Sequence, residues 1–261
     1  MSMQTAKRVV VKVGSSTLTY ENGKPNIRRI EHLVKVLSDL KNSGREAVLV
    51  SSGAIAVGVS RLGLSERPHD TKGKQAAAAV GQCDLMSLYD RAFAEYGYVT
   101  AQILLDRGVT DDPHRKQNVI NTFDALLHMG AVPIINENDS TSVEEIEFGD
   151  NDRLSAIVAN LTGADALVIL TDIDGLYDAD PRVNPNAKRI PVVEQITEEI
   201  FALSGGAGSN RGTGGMRTKL EAARLAVENG VEMVIACGDD PEILYDIFDG
   251  KPVGTYFPTK G

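Results

Sequence analysis

The chain is short of most features that would mark a secreted, membrane-bound or nucleic-acid-binding protein. Only two of its 261 residues are cysteine, Cys83 and Cys237. They show neither metal-ligand spacing nor a C-x-x-C partner, and read as reduced core residues of a cytosolic protein. No apolar run approaches the ~18 residues of a membrane span. The opening MSMQTAKR runs directly into a strand pattern, so no signal peptide is expected. Positive charge is scarce: 27 Lys and Arg against 36 Asp and Glu leave a net charge of −9. That balance argues against general binding to nucleic acid or to an anionic membrane, while leaving room for local basic sites that take small anions. Internal repeats, low-complexity tracts and Pro/Ser-rich linkers are absent. The four histidines, His32, His69, His114 and His128, show no pairing by spacing, which speaks against metal or triad roles. The Asp-rich stretch ILTDIDGLYDADP lacks the ligand spacing of an EF-hand.

What is present is an alternation of strand and helix patterns. A length of 261 residues suits one large α/β unit or two intimate lobes, able to bury about three quarters of the unfolded surface. Continuous runs of Val, Ile and Leu at 8–13, 47–51, 99–105, 132–136, 167–171 and 233–237 have the character of strands covered on both faces. Between them, helical periodicity predicts helices at 26–43, 71–96, 111–129, 151–161 and 216–228, with Asn26 as an N-cap and Gly44 as a stop. Asn22-Gly23 suggests a β-hairpin, and the run 76–80 a tightly packed helix. Repeated strand–helix–strand units imply a mainly parallel sheet with right-handed crossovers and helices on both faces.

In such sheets ligands gather at the carboxyl ends of the strands, and here those ends are polar. Lys12 closes a valine run and is followed by Gly14. Its ammonium would suit a phosphoryl group in transit, and Gly14 would let main-chain N–H groups reach the same oxygens. A lysine snorkelling to solvent beside an ordinary turn fits that stretch alone equally well. VSSGAIAVG ends a strand at Ser51 and opens a helix near Gly53, where free N–H groups and the hydroxyl of Ser52 favour an anion, although a Ser N-cap with close helix packing explains this stretch better when it is taken alone. INENDS supplies donors and acceptors together, Asn136, Glu137, Asn138 and Asp139, as a substrate with an ammonium group and carboxylates requires. FGDNDRLSA opens a helix with Asp150, Asn151 and Asp152, more polar groups than capping needs; one aspartate placed between two lysines would orient both. Thr171 and Asp172 sit where a nucleotide could be held. GSNRGTGGMRTKLEAA is a glycine-rich loop leading into a helix that carries Lys219. It resembles a phosphate cradle, though it is neither a Walker A motif nor G-x-G-x-x-G.

Together VVKVGSSTL, VSSGAIAVG, VPIINEND, FGDNDRLSA, ILTDIDGLYDADP and GTGGMRTKLEAA resemble the amino acid kinase family along essentially the whole chain. The resemblance implies an α/β fold, a three-layer α/β/α sandwich with a mainly parallel central sheet. It implies a single kinase domain over 1–261, with an amino-acid lobe over about 1–165 and a nucleotide lobe over about 166–261. The pair INEND and FGDND points to members acting on glutamate, rather than on aspartate, acetylglutamate, carbamate or uridylate. Carried over residue by residue, Lys12 and Lys219 would stabilise the transferring phosphoryl group from opposite sides, with Asp152 holding both. Gly14 and Gly53 would present backbone donors. Ser52, Asp139 and Asn151 would bind L-glutamate. Thr171, Asp172 and the segment Thr213, Gly214, Gly215, Met216, Arg217, Thr218 and Lys219 would contact ATP, with Mg²⁺ bridging its phosphates. The implied reaction is phosphorylation of the γ-carboxylate to γ-glutamyl phosphate, opening proline biosynthesis in the cytoplasm. The implied context adds proline as a feedback inhibitor and a homo-oligomer, dimer or tetramer. Another carboxylate kinase, for aspartate or acetylglutamate, and a non-catalytic nucleotide- or amino-acid-binding regulator are the alternatives. Many relatives carry a C-terminal PUA domain, which this sequence is expected to lack.

Overall fold

The valine run around Lys12 forms β1 (Arg8–Val13) at the middle of the molecule. In the computed structural model, which describes residues 3–141, 151–203 and 215–259, β1 pairs in parallel with β2 (Glu46–Val50) on one side and β5 (Ala166–Thr171) on the other. β3 (Thr100–Leu105), β4 (Val132–Glu137), β6 (Glu232–Cys237) and β7 (Thr255–Phe257) complete a seven-stranded sheet of order β3-β4-β2-β1-β5-β6-β7. Only β7 runs antiparallel, against β6. The sequence patterns cover the first six strands; β7 has three residues, too few to show a period.

The helices in chain order are α1 (Ser15–Leu18), α2 (Ile27–Asn42), α3 (Ala54–Arg61), α4 (Thr71–Ala94), α5 (Pro113–His128), α6 (Asn151–Thr162), α7 (Glu198–Leu203), α8 (Met216–Glu228) and α9 (Ile243–Phe248). Their starts follow local chemistry. The Asn26 side chain accepts from Arg29 N, as expected. Asp112 accepts from His114 N and Arg115 N, and Pro113 sits at the first helical position, so α5 starts two residues later than its apolar period suggests. Asn22-Gly23 makes a turn closed by Gly23 N to Tyr20 O (2.9 Å) and Tyr20 N to Lys24 O (2.9 Å), with one antiparallel bridge between Thr19 and Pro25 in place of a hairpin.

Because strand side chains alternate between faces, the sheet builds two cores. Val9, Val11 and Val13 of β1 pack with Leu33, Val34 and Leu37 of α2, Tyr89 and Phe93 of α4, and Leu244 of α9. Val10 faces the other way, among Phe123 of α5, Leu154 and Val158 of α6, and Leu220 and Ala223 of α8. The result is a three-layer α/β/α sandwich. Lys12 shares the parity of Val10, which places it under α6 and α8. The loop after β1 leaves toward α2, while the chain after β5 leaves toward α7 and α8 on the opposite face. The crevice between β1 and β5 is therefore the switch point at which open α/β sheets bind ligands.

The cysteines differ from the sequence expectation. Cys83 is exposed and Cys237 half-buried, and both are free. Gln82 and Leu85 occupy the inward face of α4, which turns Cys83 outward, and Cys237 is the last residue of β6, where the sheet opens toward the crevice. Of the run 76–80 only Ala77 and Ala78 are buried, with Ala76 and Ala79 exposed, and the tight packing lies where α4 crosses α3. A Cβ built on Gly58 of α3 would lie 1.8 Å from Ala77 O, and one on Gly81 of α4 would lie 1.8 Å from Ala54 O. Both obstacles are helix backbone and cannot swing away. Gly81→Ala should thus force the two helices apart at a cost of about 1–3 kcal/mol or more, read as a lower urea midpoint at unchanged slope. A midpoint equal to that of the unaltered protein would show that the helices separate freely.

Candidate active site

Three side chains far apart in sequence meet at the β1 end. Lys12 Nζ lies 2.5 Å from Asp152 Oδ1, and Lys219 Nζ lies 3.0 Å from Asp152 Oδ2. Asp152 is 0% exposed, and each lysine is 5% exposed. Lys12 reaches the spot from the strand, Asp152 from the first turn of α6 and Lys219 from the first turn of α8. Thr218 Oγ1 lies 3.1 Å from Asp152 Oδ2 and 2.8 Å from Gly215 O. Burial alone would push the Asp152 carboxyl up, but the ammonium groups of Lys12 and Lys219 outweigh it and hold the group well below the usual carboxylate range. Two cations gather on one carboxylate in a nearly dry place. That is a costly arrangement to build for stability alone, and one suited to a polyanion.

A second cluster lies one strand over, at the ends of β2 and β4. Asn151 Nδ2 donates to Ser51 O (2.6 Å), Asn136 Oδ1 (2.7 Å) and Ser52 Oγ (3.1 Å). Asn136 Oδ1 also accepts from Glu137 N (2.9 Å), and Asn136 Nδ2 donates to Gln82 Oε1 (2.8 Å). Ser51 Oγ is 3.0 Å from the hydroxyl of the buried Tyr89, whose acidity burial suppresses. Between the clusters sit the two glycines. A Cβ on Gly14 would meet nothing nearer than Ser16 Oγ at 3.8 Å, so its approach is open. Gly53 caps α3 with φ +95°, in the left-handed region that other residues enter only under strain.

The structure thus brings Lys12, Asp152 and Lys219 into contact, and Ser52 and Asn151 into contact. Asp139 lies in the turn after β4, whose Asn138 N donates to Leu105 O (2.7 Å). Thr171 ends β5 and donates through Oγ1 to Asp172 Oδ1 (3.1 Å), one strand from Lys12. Gly215 and Met216 lead into α8, while Arg217 turns outward to pair with Glu221 (3.2 Å) instead of facing the crevice. Thr213, Gly214 and Asp150 lie outside the described residues. Sequence reasoning missed Gln82 and Tyr89. Both sit on the inward face of α4, where a helical period shows only that a side chain is buried. Removing the Tyr89 hydroxyl (Tyr89→Phe) should cost about 1 kcal/mol in chemical denaturation; no loss would mean that Ser51 repairs the bond elsewhere.

Comparison with known proteins gives the family. The model of the amino acid kinase family matches residues 7–237. A protein named glutamate 5-kinase from Clostridium perfringens is 56% identical over 99% of this chain and 98% of its own length. Another of that name, from Listeria welshimeri, is 52% identical over 99% of this chain and 95% of its own. Among solved structures, carbamate kinase from Giardia lamblia bound to AMP-PNP superposes with a TM-score of 0.68 at 16% identity, covering 98% of this chain and 100% of that one, a likeness of fold. With a matching model across most of its length and relatives above half identity, the chain belongs to the amino acid kinase family.

Proposed function

We propose that the protein transfers the γ-phosphoryl group of ATP to the γ-carboxylate of L-glutamate, giving γ-glutamyl phosphate and ADP, the opening step of proline biosynthesis. The observation that carries this reading is the buried Lys12–Asp152–Lys219 cluster at the switch point. Relatives named glutamate 5-kinase, at 52–56% identity, support the choice of acceptor.

The chemistry asks little of acid or base. A carboxylate is already a nucleophile, so no proton has to be removed from it. The obstacle is repulsion between that anion and the triphosphate, so catalysis reduces to positioning and to charge placed where the equatorial oxygens of the transferring group will be. Lys12 and Lys219 supply that charge from the strand and from α8. Asp152 fixes the separation of their ammonium groups. Gly14 and Gly53 bring main-chain N–H groups near the same oxygens. Ser52, Asp139 and Asn151 hold glutamate at the β2–β4 side, within the lobe over about 1–165. Thr171, Asp172 and the start of α8 hold the nucleotide at the β5 side, within the lobe over about 166–261. Arg217, by contrast, is turned outward and paired with Glu221. Mg²⁺ would enter with the nucleotide and not on Asp152, whose oxygens are engaged by both lysines. When bound it neutralises phosphate charge.

No helix among the described residues is long and apolar enough to cross a membrane, and a cytoplasmic site of action fits the reaction. Proline, the end product of the route, is the expected inhibitor. The direct test is ADP release with MgATP across L-glutamate, L-aspartate and N-acetyl-L-glutamate, with hydroxylamine trapping of the acyl phosphate and with or without proline. Turnover confined to L-glutamate is expected; turnover with aspartate or acetylglutamate instead would replace the acceptor, and none with any would remove the reaction.

A further inference from the structure

Gln82 is an amide in an alanine-rich helix, only 8% exposed, and the roles assigned above do not use it. Its surroundings fix the direction of every amide in the β2–β4 cluster. Two main-chain groups, which cannot be reversed, set the ends. Glu137 N–H points at the Asn136 side chain, which must present Oδ1 there (2.9 Å). Ser51 C=O points at the Asn151 side chain, which must present Nδ2 there (2.6 Å). Asn136 Oδ1 to Asn151 Nδ2, at 2.7 Å, agrees with both. Asn136 Nδ2, in a residue 3% exposed, is then left needing an acceptor, and Gln82 Oε1 provides it at 2.8 Å. The backbone that carries Gln82 is closely placed, because a Cβ on its neighbour Gly81 would lie 1.8 Å from Ala54 O where α4 crosses α3.

The far end of this relay is chemically specific. With Nδ2 turned inward, Asn151 has Oδ1 left over, and among the described residues that oxygen accepts no hydrogen bond. A carbonyl oxygen without a donor among the described residues is an acceptor: it suits an ammonium group and repels a carboxylate. We infer that Gln82 is a positioning residue for substrate specificity, holding Asn136, and through it Asn151, so that Asn151 Oδ1 receives the α-ammonium group of the amino-acid substrate. The inference rests on the proposed glutamate reaction and adds the residue that makes the site read an ammonium group.

Glutarate is the suitable probe, since it has both carboxylates of glutamate and no ammonium group. The full-length enzyme and Gln82→Met, which keeps the bulk of the side chain and removes the acceptor, would be compared with L-glutamate and glutarate at saturating MgATP. Where glutarate turns over too slowly, its inhibition constant against glutamate replaces kcat/KM. The variant should lose about tenfold in kcat/KM for glutamate, mostly through KM, the scale of one hydrogen bond to a charged group. Its handling of glutarate should change by less than about threefold, and its KM for ATP should stay put, so that discrimination between the two acids shrinks. A general loss of structure would lower both acids together, and that result, or an unchanged preference for glutamate, overturns the role of Gln82 alone. An unaltered enzyme that phosphorylates neither acid overturns the glutamate reading and this inference with it. Should Gln82→Met fail to fold, Gln82→Ala gives the same comparison with room for water in place of the side chain.

Discussion

Asp152→Asn should cost the protein both stability and rate. The exchange keeps the shape of the side chain but takes away the carboxylate charge that Lys12 and Lys219 share. Two ammonium groups, on lysines each only 5% exposed, would then face each other, and breaking a buried ionic cluster in this way typically costs about 3–5 kcal/mol. The rate should fall about a hundredfold or more, because the ammonium groups lose the spacing that Asp152 imposes and misplacement of about 1 Å is worth that much. The stability difference has a defined pH dependence. The folded-state pKa of Asp152 is depressed, so its contribution is fully present above the unfolded carboxylate value of about 3.9 and disappears as pH falls through the lower folded value. Urea melts of both proteins between about pH 5 and 8 should therefore run in parallel, with the gap closing only below about pH 4. A gap that closed between pH 5 and 7 would mean that Asp152 titrates there and that the lysines do not hold it ionised.

Lys12→Ala and Lys219→Ala should each lower kcat by about 10²–10³, the equivalent of about 3–4 kcal/mol and the scale of one lost electrostatic donor to a transition state. KM for glutamate should change much less, because the β2–β4 cluster remains intact in both variants. The double variant should fall short of the product of the two single effects, as residues acting on one group do. Fold can be checked separately, since either single variant leaves Asp152 one ion pair. Single variants with kcat within about threefold of the unaltered enzyme would remove both lysines from the transition state.

How much of this could be read in advance follows from the range of each contact. Lys12 was legible: it ends a buried run and shares the parity of Val10, and the alternation of a strand is fixed over a few residues. The alternation of strands and helices likewise dictated layers and a mainly parallel sheet. Asp152 and Lys219 were legible as residues out of place, a surplus acid in a first turn and a lysine behind a glycine loop. Their meeting was not legible from spacing, because 67 residues separate them and only the fold closes that distance. Resemblance to the family supplied that pairing before the geometry did. Gln82 illustrates the converse. It reaches Asn136 across 54 residues, and nothing in an Ala-rich period separates a buried glutamine with a task from one that merely packs. His32 lies 3.2 Å from Glu242 and 3.8 Å from Asp240, a surface cluster equally invisible to spacing because His32 and Glu242 stand 210 positions apart. Cys83 failed for a third reason: composition argues that a free cysteine is buried, while helical phase, one residue past Gln82, turns it outward.

The most direct measurement is a crystal structure of the enzyme with L-glutamate, MgADP and a planar aluminium fluoride in place of the transferring phosphoryl group. Lys12 Nζ and Lys219 Nζ should both stand within about 3 Å of the fluoride ligands, on opposite sides, with Asp152 still between them. Either amine turned toward bulk water, with a solvent layer between it and the fluoride, would contradict the account.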